Sequence, residues 1–335
     1  MAERIKIQGV AAKLQGSEGT DAVPSFATNA VRPIGIPVLQ INYLEDGDRA
    51  DEQHAGMGTI GVVGDAGRWG QVDITLAIKG AGADYFTATN RPEWDPFIQA
   101  AGFSATASGG AGAGQVLYTD LDSGVFPRLS LYLQSANKIF KLIDCVTLPK
   151  WSLEATKRGT ITFTCIGRIV TDPAEQAMPA QTLSAVVPPL FYGAAVTIGA
   201  FSSAGGTPLV MRKTDCDLGT VHTPRAGAGA TDGLNGFEIT DRQPSASAEI
   251  EVVPIATFDP YTLAKQARDA TNGTDTKLSY QCGTVQFNRV KFALGQWAFN
   301  SPPINDNSGL ATYNLSGKII ARSLASGRMI AITVD

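Results

Sequence analysis

Gly56-Met57-Gly58-Thr59-Ile60-Gly61 spells the G-x-G-x-x-G of dinucleotide-binding turns. That motif grips a pyrophosphate only where a strand leads in and a helix opens after it, presenting free backbone N–H groups. Here an acidic stretch precedes it, and Gly64, Gly67 and Gly70 follow at a spacing that no helix sustains. The segment reads as a loop. Asp46, Asp48, Asp51 and Glu52 cluster carboxylates as a hard cation would want them, but Ala50 holds a position that the EF-hand spacing reserves for a ligand. This run reads as a solvated or interface loop. Asp215/Asp217 and Asp120/Asp122 are partial matches at best.

Nucleophilic catalysis needs a base beside its nucleophile. The 2 histidines, His54 and His222, sit in polar or Gly-containing loops without a Ser or Cys motif nearby, and no G-x-S-x-G, H-E-x-x-H or Walker sequence occurs. Glycosidase chemistry needs two facing carboxylates, and nothing singles out a pair among the 31 acids. Catalysis, a cofactor and a metal are therefore not expected. Cys145, Cys165, Cys216 and Cys282 include no C-x-x-C spacing. Cys165 alternates with Ile161 and Phe163, so it reads as a small buried hydrophobe in a chain that folds under reducing conditions.

The elements that must position any site are strands. Val72, Ile74, Leu76 and Ile78 alternate with Gln71, Asp73, Thr75 and Ala77; the same period of two recurs at Leu129–Leu133, Ile161–Cys165 and Ile330–Val334. Gly 36 and Pro 18 punctuate these runs, which predicts a mainly β chain with many turns. Two short helices are expected, from Trp94-Asp95-Pro96-Phe97 to a stop at Gly102 and from Phe258-Asp259-Pro260-Tyr261 to Ala267, each with Asp as N-cap and Pro at the first helical position.

Twin openings of this kind point to a repeat. Gly159, Thr162, Phe163, Gly167, Arg168 and Ile169 match Gly309, Thr312, Tyr313, Gly317, Lys318 and Ile319 at a constant offset, 309 − 159 = 150. The helix copies lie further apart, 258 − 94 = 164, so the first half has extra residues between helix and strand, around Ser108 to Gly114. The expected organisation is an N-terminal arm (1–35), a β domain (36–178), a Pro-rich linker (179–189) and a second β domain (190–335). Each domain is a sandwich or barrel-like pair of sheets with one short helix. Long polar loops, Glu45 to Arg68 and Val221 to Arg242, interrupt the pattern in equivalent places.

Net charge is −4, with Lys and Arg scattered, so the electrostatic footprint of a nucleic-acid binder is missing. Residues 176–211 carry no charge, but four prolines and several glycines interrupt them, which reads as linker and strand and not as a membrane span. The opening Met-Ala-Glu-Arg-Ile-Lys-Ile lacks the apolar run of a signal peptide.

The sequence around Trp94-Asp95-Pro96-Phe97, the close Ala101-Gly102-Phe103, Val116-Leu117-Tyr118-Thr119 and the hairpin Leu129 to Leu142 resembles the major tail tube proteins of long-tailed bacteriophages, in a two-domain form. Gly159-Thr160-Ile161-Thr162-Phe163-Thr164, with Asp172-Pro173 and Pro179 behind it, extends the likeness. It covers most of residues 35–185 directly and 190–335 through the repeat. The resemblance implies sandwich-like units whose inner sheets join around a ring into a continuous lumen, with the helix outside. A duplicated chain would form a trimeric ring with pseudo-sixfold symmetry, in stacked rings bridged by the arm and a long loop. The loop role falls to Asp46, Asp48, Asp51, Glu52, Gly56, Gly58 and Arg68, and by duplication to Val221–Arg242, where the acidic run is missing. Implied partners are further copies, a tape-measure protein inside the tube, and terminator and tip proteins at its ends. Direct membrane binding is not implied. The implied location is the virion tail, after synthesis in the host bacterial cytoplasm.

Duplex DNA carries about one negative charge per 1.7 Å, and a wall that gripped phosphate would stall its passage. Asp73, Glu249 and Glu251 are therefore expected to face the lumen. The competing reading is a carbohydrate- or receptor-binding β-domain protein of the tail tip or cell surface. It requires aromatics exposed in loops, whereas Trp94, Trp151 and Trp297 fall in helix or strand patterns.

Overall fold

Alternating β-branched and polar residues make the fold mainly β, with two short helices among the described residues. The computed structural model describes residues 7–43, 49–53, 59–63, 67–86, 90–121, 126–135, 137–192, 196–199, 201–202, 209–227, 230, 233–266, 276–320 and 329–335. The first half runs through β1 (Ile7–Leu14), β2 (Ala30–Val31), β3 (Leu39–Tyr43), β4 (Arg49–Gln53), β5 (Thr59–Val63), β6 (Arg68–Ala77) and α1 (Asp95–Ala100). It continues with β7 (Phe103–Ser108), β8 (Gln115–Asp120), β9 (Leu129–Ser135), β10 (Lys138–Glu154), β11 (Thr160–Arg168) and β12 (Ala174–Glu175). The second half has β13 (Val196–Ile198), β14 (Phe201–Ser202), β15 (Met211–Asp217), β16 (Thr220–Ala226), β17 (Leu234–Arg242), β18 (Ser245–Glu251) and α2 (Pro260–Gln266). It closes with β19 (Lys277–Cys282), β20 (Val290–Phe299), β21 (Ile304–Asn307), β22 (Leu310–Ile320) and β23 (Ile330–Val334).

The repeat is visible in the pairing order. In the first half, antiparallel neighbours run β3–β6–β11–β10–β9–β1. In the second they run β15–β18–β22–β20–β19–β13, the same order with equivalent strands. Hairpin β4–β5 leaves between β3 and β6, as β16–β17 leaves between β15 and β18. The extra residues of the first half are the hairpin β7–β8, whose turn is the Gly-rich stretch 109–114.

Two junctions tie the halves into one hydrogen-bonded network. The C-terminal part of β10 pairs with β15. The β7–β8 hairpin crosses over, and β8 pairs with β23, which lies between β8 and β20. The halves therefore do not part cleanly at residues 179–189. That segment is laid along both of them: Ser184 N–H donates to Glu93, and Asn288 Nδ2 donates to the Val187 carbonyl. Residues 7–14, expected in an arm, are instead built into the first half as β1, with Val10, Ala11 and Ala12 buried. One apolar cluster spans both halves, from Phe97 and Phe163 through Trp151 to Phe292 and Trp297. Burying side chains of this size contributes roughly 1.5–3 kcal/mol each.

The helices form where expected, but their starts differ. Asp259 caps α2: its Oδ1 accepts from the N–H groups of Tyr261 and Thr262 at 3.0 and 3.1 Å. Asp95 does not cap α1; Trp94 holds the N-cap position and makes no side-chain cap bond. Asp95 lies buried in the first turn, where Tyr118 Oη and Gln99 Nε2 donate to it at 2.6 and 2.9 Å. The tertiary bond from Tyr118, with Gln99 one turn along the helix, thus outbids the local cap. Gly102, at φ +83°, stops α1, and a side chain there would collide with Arg242 Nη2 at 1.8 Å.

The cap gives a measurable expectation. Hydrogen bonds from Thr262 hold the Asp259 carboxyl below its ordinary range, so its contribution is present above the unfolded carboxylate pKa and fades as pH falls through the folded value. Asp259→Ala should cost about 1 kcal/mol at neutral pH, read from urea midpoints, and the gap to the native chain should close in strong acid. A gap independent of pH would mean that the carboxylate is not the cap.

Candidate functional site

Strand alternation divides each central strand into an apolar and a polar side. On β6, Val72, Ile74 and Leu76 are buried, while Asp73 is exposed and Gln71 and Thr75 are half-buried. On β18, Ala246, Ala248 and Ile250 are buried, while Ser247, Glu249 and Glu251 face away from the core. Because cross-strand partners share a face, the pairings β6–β11–β10–β15–β18–β22 assemble one polar face across both halves. Thr160, Thr162 and Thr164 supply its hydroxyls in the first half; Ser245, Ser247 and Ser316 supply them in the second.

Short contacts order this surface. Thr164 Oγ1 donates to Asp73 Oδ1 at 2.6 Å, and the hydroxyls of Thr75 and Thr162 lie 2.9 Å apart. Across the junction of the halves, Lys150 Nζ pairs with Asp217 at 2.9 Å; beside it Lys213 pairs with Asp215 at 2.9 Å. The Asp215 carboxylate holds the Lys213 ammonium above its ordinary range. Asn307 Nδ2 donates to Glu249, which Arg212 approaches at 3.9 Å. The face thus carries the acids Asp73, Glu154, Asp215, Asp217, Glu249 and Glu251 against the bases Lys150, Arg212, Lys213 and Lys318. Its central hollow, about 540 Å³, is lined by Lys150, Thr160, Thr162, Asp217, Ser245 and Lys318 among others.

Asp73 and Glu249, expected on one surface, occupy equivalent positions of the repeat. Asp73 lies opposite Thr164 and Glu249 opposite Asn314, again 314 − 164 = 150. Glu251 lies two residues along the same side. Of the expected loop residues, Asp46, Asp48, Gly56 and Gly58 lie outside the described residues, as does His54. Asp51 and Glu52 lie on β4, opposite Gly61 and Ile60. Arg68 opens β6 and pairs with Asp172 at 2.6 Å. The threonine rows and the Lys150–Asp217 pair were missed as site residues. Thr160, Thr162 and Thr164 read only as a strand side, and the Lys150–Asp217 contact bridges residues too far apart for a local pattern.

The second long loop does not stand free. Hairpin β16–β17 folds over the first half, burying Leu234, Phe237 and Ile239 against Phe126, Val146 and Ile166. Arg225 pairs with Glu18 and Arg128 with Glu238, both at 2.7 Å. Arg242 donates to the carbonyls of Leu121, Ala101 and Gly102 at 2.9, 2.8 and 3.1 Å. This covers the end of the face around Val146 and Ile166 and leaves the Thr160–Thr164 part open.

Among the described residues, the thiols and His222 sit in buried or half-buried surroundings. Burial pushes the Cys145, Cys165 and Cys216 thiols well above their ordinary range and the Cys282 thiol up to about 11; none of the four is in a disulfide. Thiols of this kind are poor nucleophiles. Burial lowers the pKa of His222, which lies against Phe237. Among the described residues, no group of His, Cys, Asp and Glu side chains is arranged to hold a metal ion, and no helix is long and apolar enough to cross a membrane. Trp94, Trp151 and Trp297 are all buried, so they offer no platform for a sugar. No family model matches the chain, and no curated protein sequence matches it.

Proposed function

We propose that this chain is a bacteriophage tail tube subunit: a structural virion protein that assembles into stacked rings whose polar sheet face lines a channel for DNA. The observation carrying this reading is the single polar face that runs through both halves of a duplicated chain. A wall of Thr and Ser hydroxyls with an excess of carboxylates offers sliding DNA little to grip. Its lysines at the junction are partnered by Asp217 and Asp215, so they are not presented to phosphates as unpaired charges. Two equivalent units per chain suit a ring of three chains with pseudo-sixfold symmetry. In this reading a tape-measure protein occupies the tube, terminator and tip proteins cover its ends, and no enzymatic step is required.

Negative-stain electron microscopy of the purified chain at rising concentration tests this. Rings or tubes with a central channel and threefold symmetry are expected. Particles that stay compact and channel-free at every concentration overturn the reading.

A further inference from the structure

The halves differ in what meets their outer edges. Inside the chain, the β10 edge meets β15: Lys150 lies opposite Asp217, Ser152 opposite Asp215, and Glu154 opposite Lys213. The first-half counterpart of β15 is β3, which pairs with β6 as β15 pairs with β18. The second-half counterpart of the end of β10 is β21, which runs along β22 as β10 runs along β11. Among the described residues, β3 has only β6 beside it and β21 only β22. Gln40, Ile41, Asn305 and Asp306 on these strands are exposed. An edge of this kind presents backbone N–H and C=O groups ready for another strand.

The internal junction carries its register over to these edges. Lys150 lies opposite Thr162 and Asn305 opposite Thr312, positions one repeat apart, 312 − 162 = 150. Asp217 lies opposite Ser245, which faces Lys318; Asn42 lies opposite Trp69, which faces Arg168, and 318 − 168 = 150. The Lys150·Asp217 position thus corresponds to Asn305·Asn42, and Ser152·Asp215 to Asn307·Gln40. We infer that β21 of one copy adds antiparallel to β3 of a second copy of this chain, with Asn305 opposite Asn42 and Asn307 opposite Gln40. The inference rests on the assembly reading above and gives its contact a register.

The side-chain chemistry separates the two junctions. The one within the chain is marked by the Lys150–Asp217 ion pair; the one between copies sets Asn305 against Asn42, uncharged amides that can each donate and accept. Placing Lys150 or Asp217 opposite an amide would leave its charge without a counterion, so exchange of the two junctions is disfavoured. The contact is also heterologous: β21 meets β3 and never itself, so it propagates from copy to copy, as a ring of the assembly reading requires.

Single-cysteine variants of the full chain, Asn42→Cys and Asn305→Cys, test the register, since the native thiols are all buried. Mixed, assembled and mildly oxidised, they should yield about tenfold more covalent dimer than either variant alone, or than Asn42→Cys mixed with Asn307→Cys, because diagonal neighbours lie beyond disulfide reach. Dimer from Asn42→Cys alone overturns the head-to-tail contact. Rings in micrographs without the mixed crosslink overturn the register and leave the tube reading standing. A native chain that never assembles overturns both. As a second readout, Asn42→Asp and Asn305→Lys should each weaken assembly, and the double variant should restore it with a dependence on ionic strength that the native chain lacks. Failure of the double variant to restore assembly overturns the pairing.

Discussion

Trp151→Ala is expected to destabilise the chain by ~3–5 kcal/mol, the usual range for emptying a buried indole site. Trp151 belongs to β10 in the first half, yet the aromatic side chains it stacks on and hydrogen-bonds to are in the second. Its ring stacks on Phe292 with centroids 5.1 Å apart, and Nε1 donates to Tyr280 Oη at 2.7 Å. It lies opposite Cys216 across the β10–β15 junction and is 2% exposed. The loss should therefore fall on the cohesion of the two halves, and urea unfolding should broaden or split as they lose cooperativity. Trp151→Phe keeps most of the packing but removes the indole N–H that donates to the Tyr280 hydroxyl, so it should cost less, on the order of 1–3 kcal/mol. If Trp151→Ala shifts the midpoint no more than Trp151→Phe does, the halves are held by strand pairing and not by this aromatic contact.

Ending the chain after Met329 is expected to abolish soluble expression. β23 is central in its sheet: Val290–Leu294 pair along one edge and Val116–Thr119 along the other. Ile330, Ile332 and Val334 are 1%, 1% and 0% exposed, and each contributes roughly 1.5–3 kcal/mol by burial. Their sum approaches the whole net stability of a folded domain, about 5–15 kcal/mol. Loss of β23 also opens β8 and β20 as unpaired apolar edges, which invite aggregation. Asp335 would go as well, and with it the carboxylate that Arg289 meets at 3.0 Å. Ile332→Val removes one methylene and should cost only about 0.5–1.5 kcal/mol, so a soluble Ile332→Val beside an insoluble truncation assigns the effect to the strand. A truncated chain that stays soluble with native near-ultraviolet dichroism would show that the crossover is dispensable.

Much of the secondary structure was legible because strand alternation is a local signal. The run Val72–Ile78 announces both the strand and its buried side, and Asp73 on the opposite side follows from the same period. The repeat was legible too, since equivalent positions such as Gly167 and Gly317 meet equivalent steric demands: a Cβ at either would lie 2.2 Å from its nearest neighbour. Asp259 could be read as a cap from Asp-Pro alone, because capping is settled within one turn. Asp95 opens the same aromatic-Asp-Pro-aromatic pattern and does something else, because Tyr118 reaches it from the surrounding fold and Gln99, one turn along α1, shares the carboxylate.

The amino-acid sequence by itself determined the mainly β class, the two helices and the polar sides of the strands, all of which depend on neighbours a few residues away. Only the tertiary structure decided that those polar sides form one face. That outcome depends on β10 meeting β15, whose paired residues Lys150 and Asp217 are 67 positions apart (217 − 150 = 67). It also decided that the β7–β8 hairpin locks onto β23, that residues 7–14 join a sheet, and that hairpin β16–β17 folds back over the first half. Strand pairing is specified by edges and registers, which any two β runs offer alike. Which runs meet is set by the packing of the whole core, and no single segment encodes that.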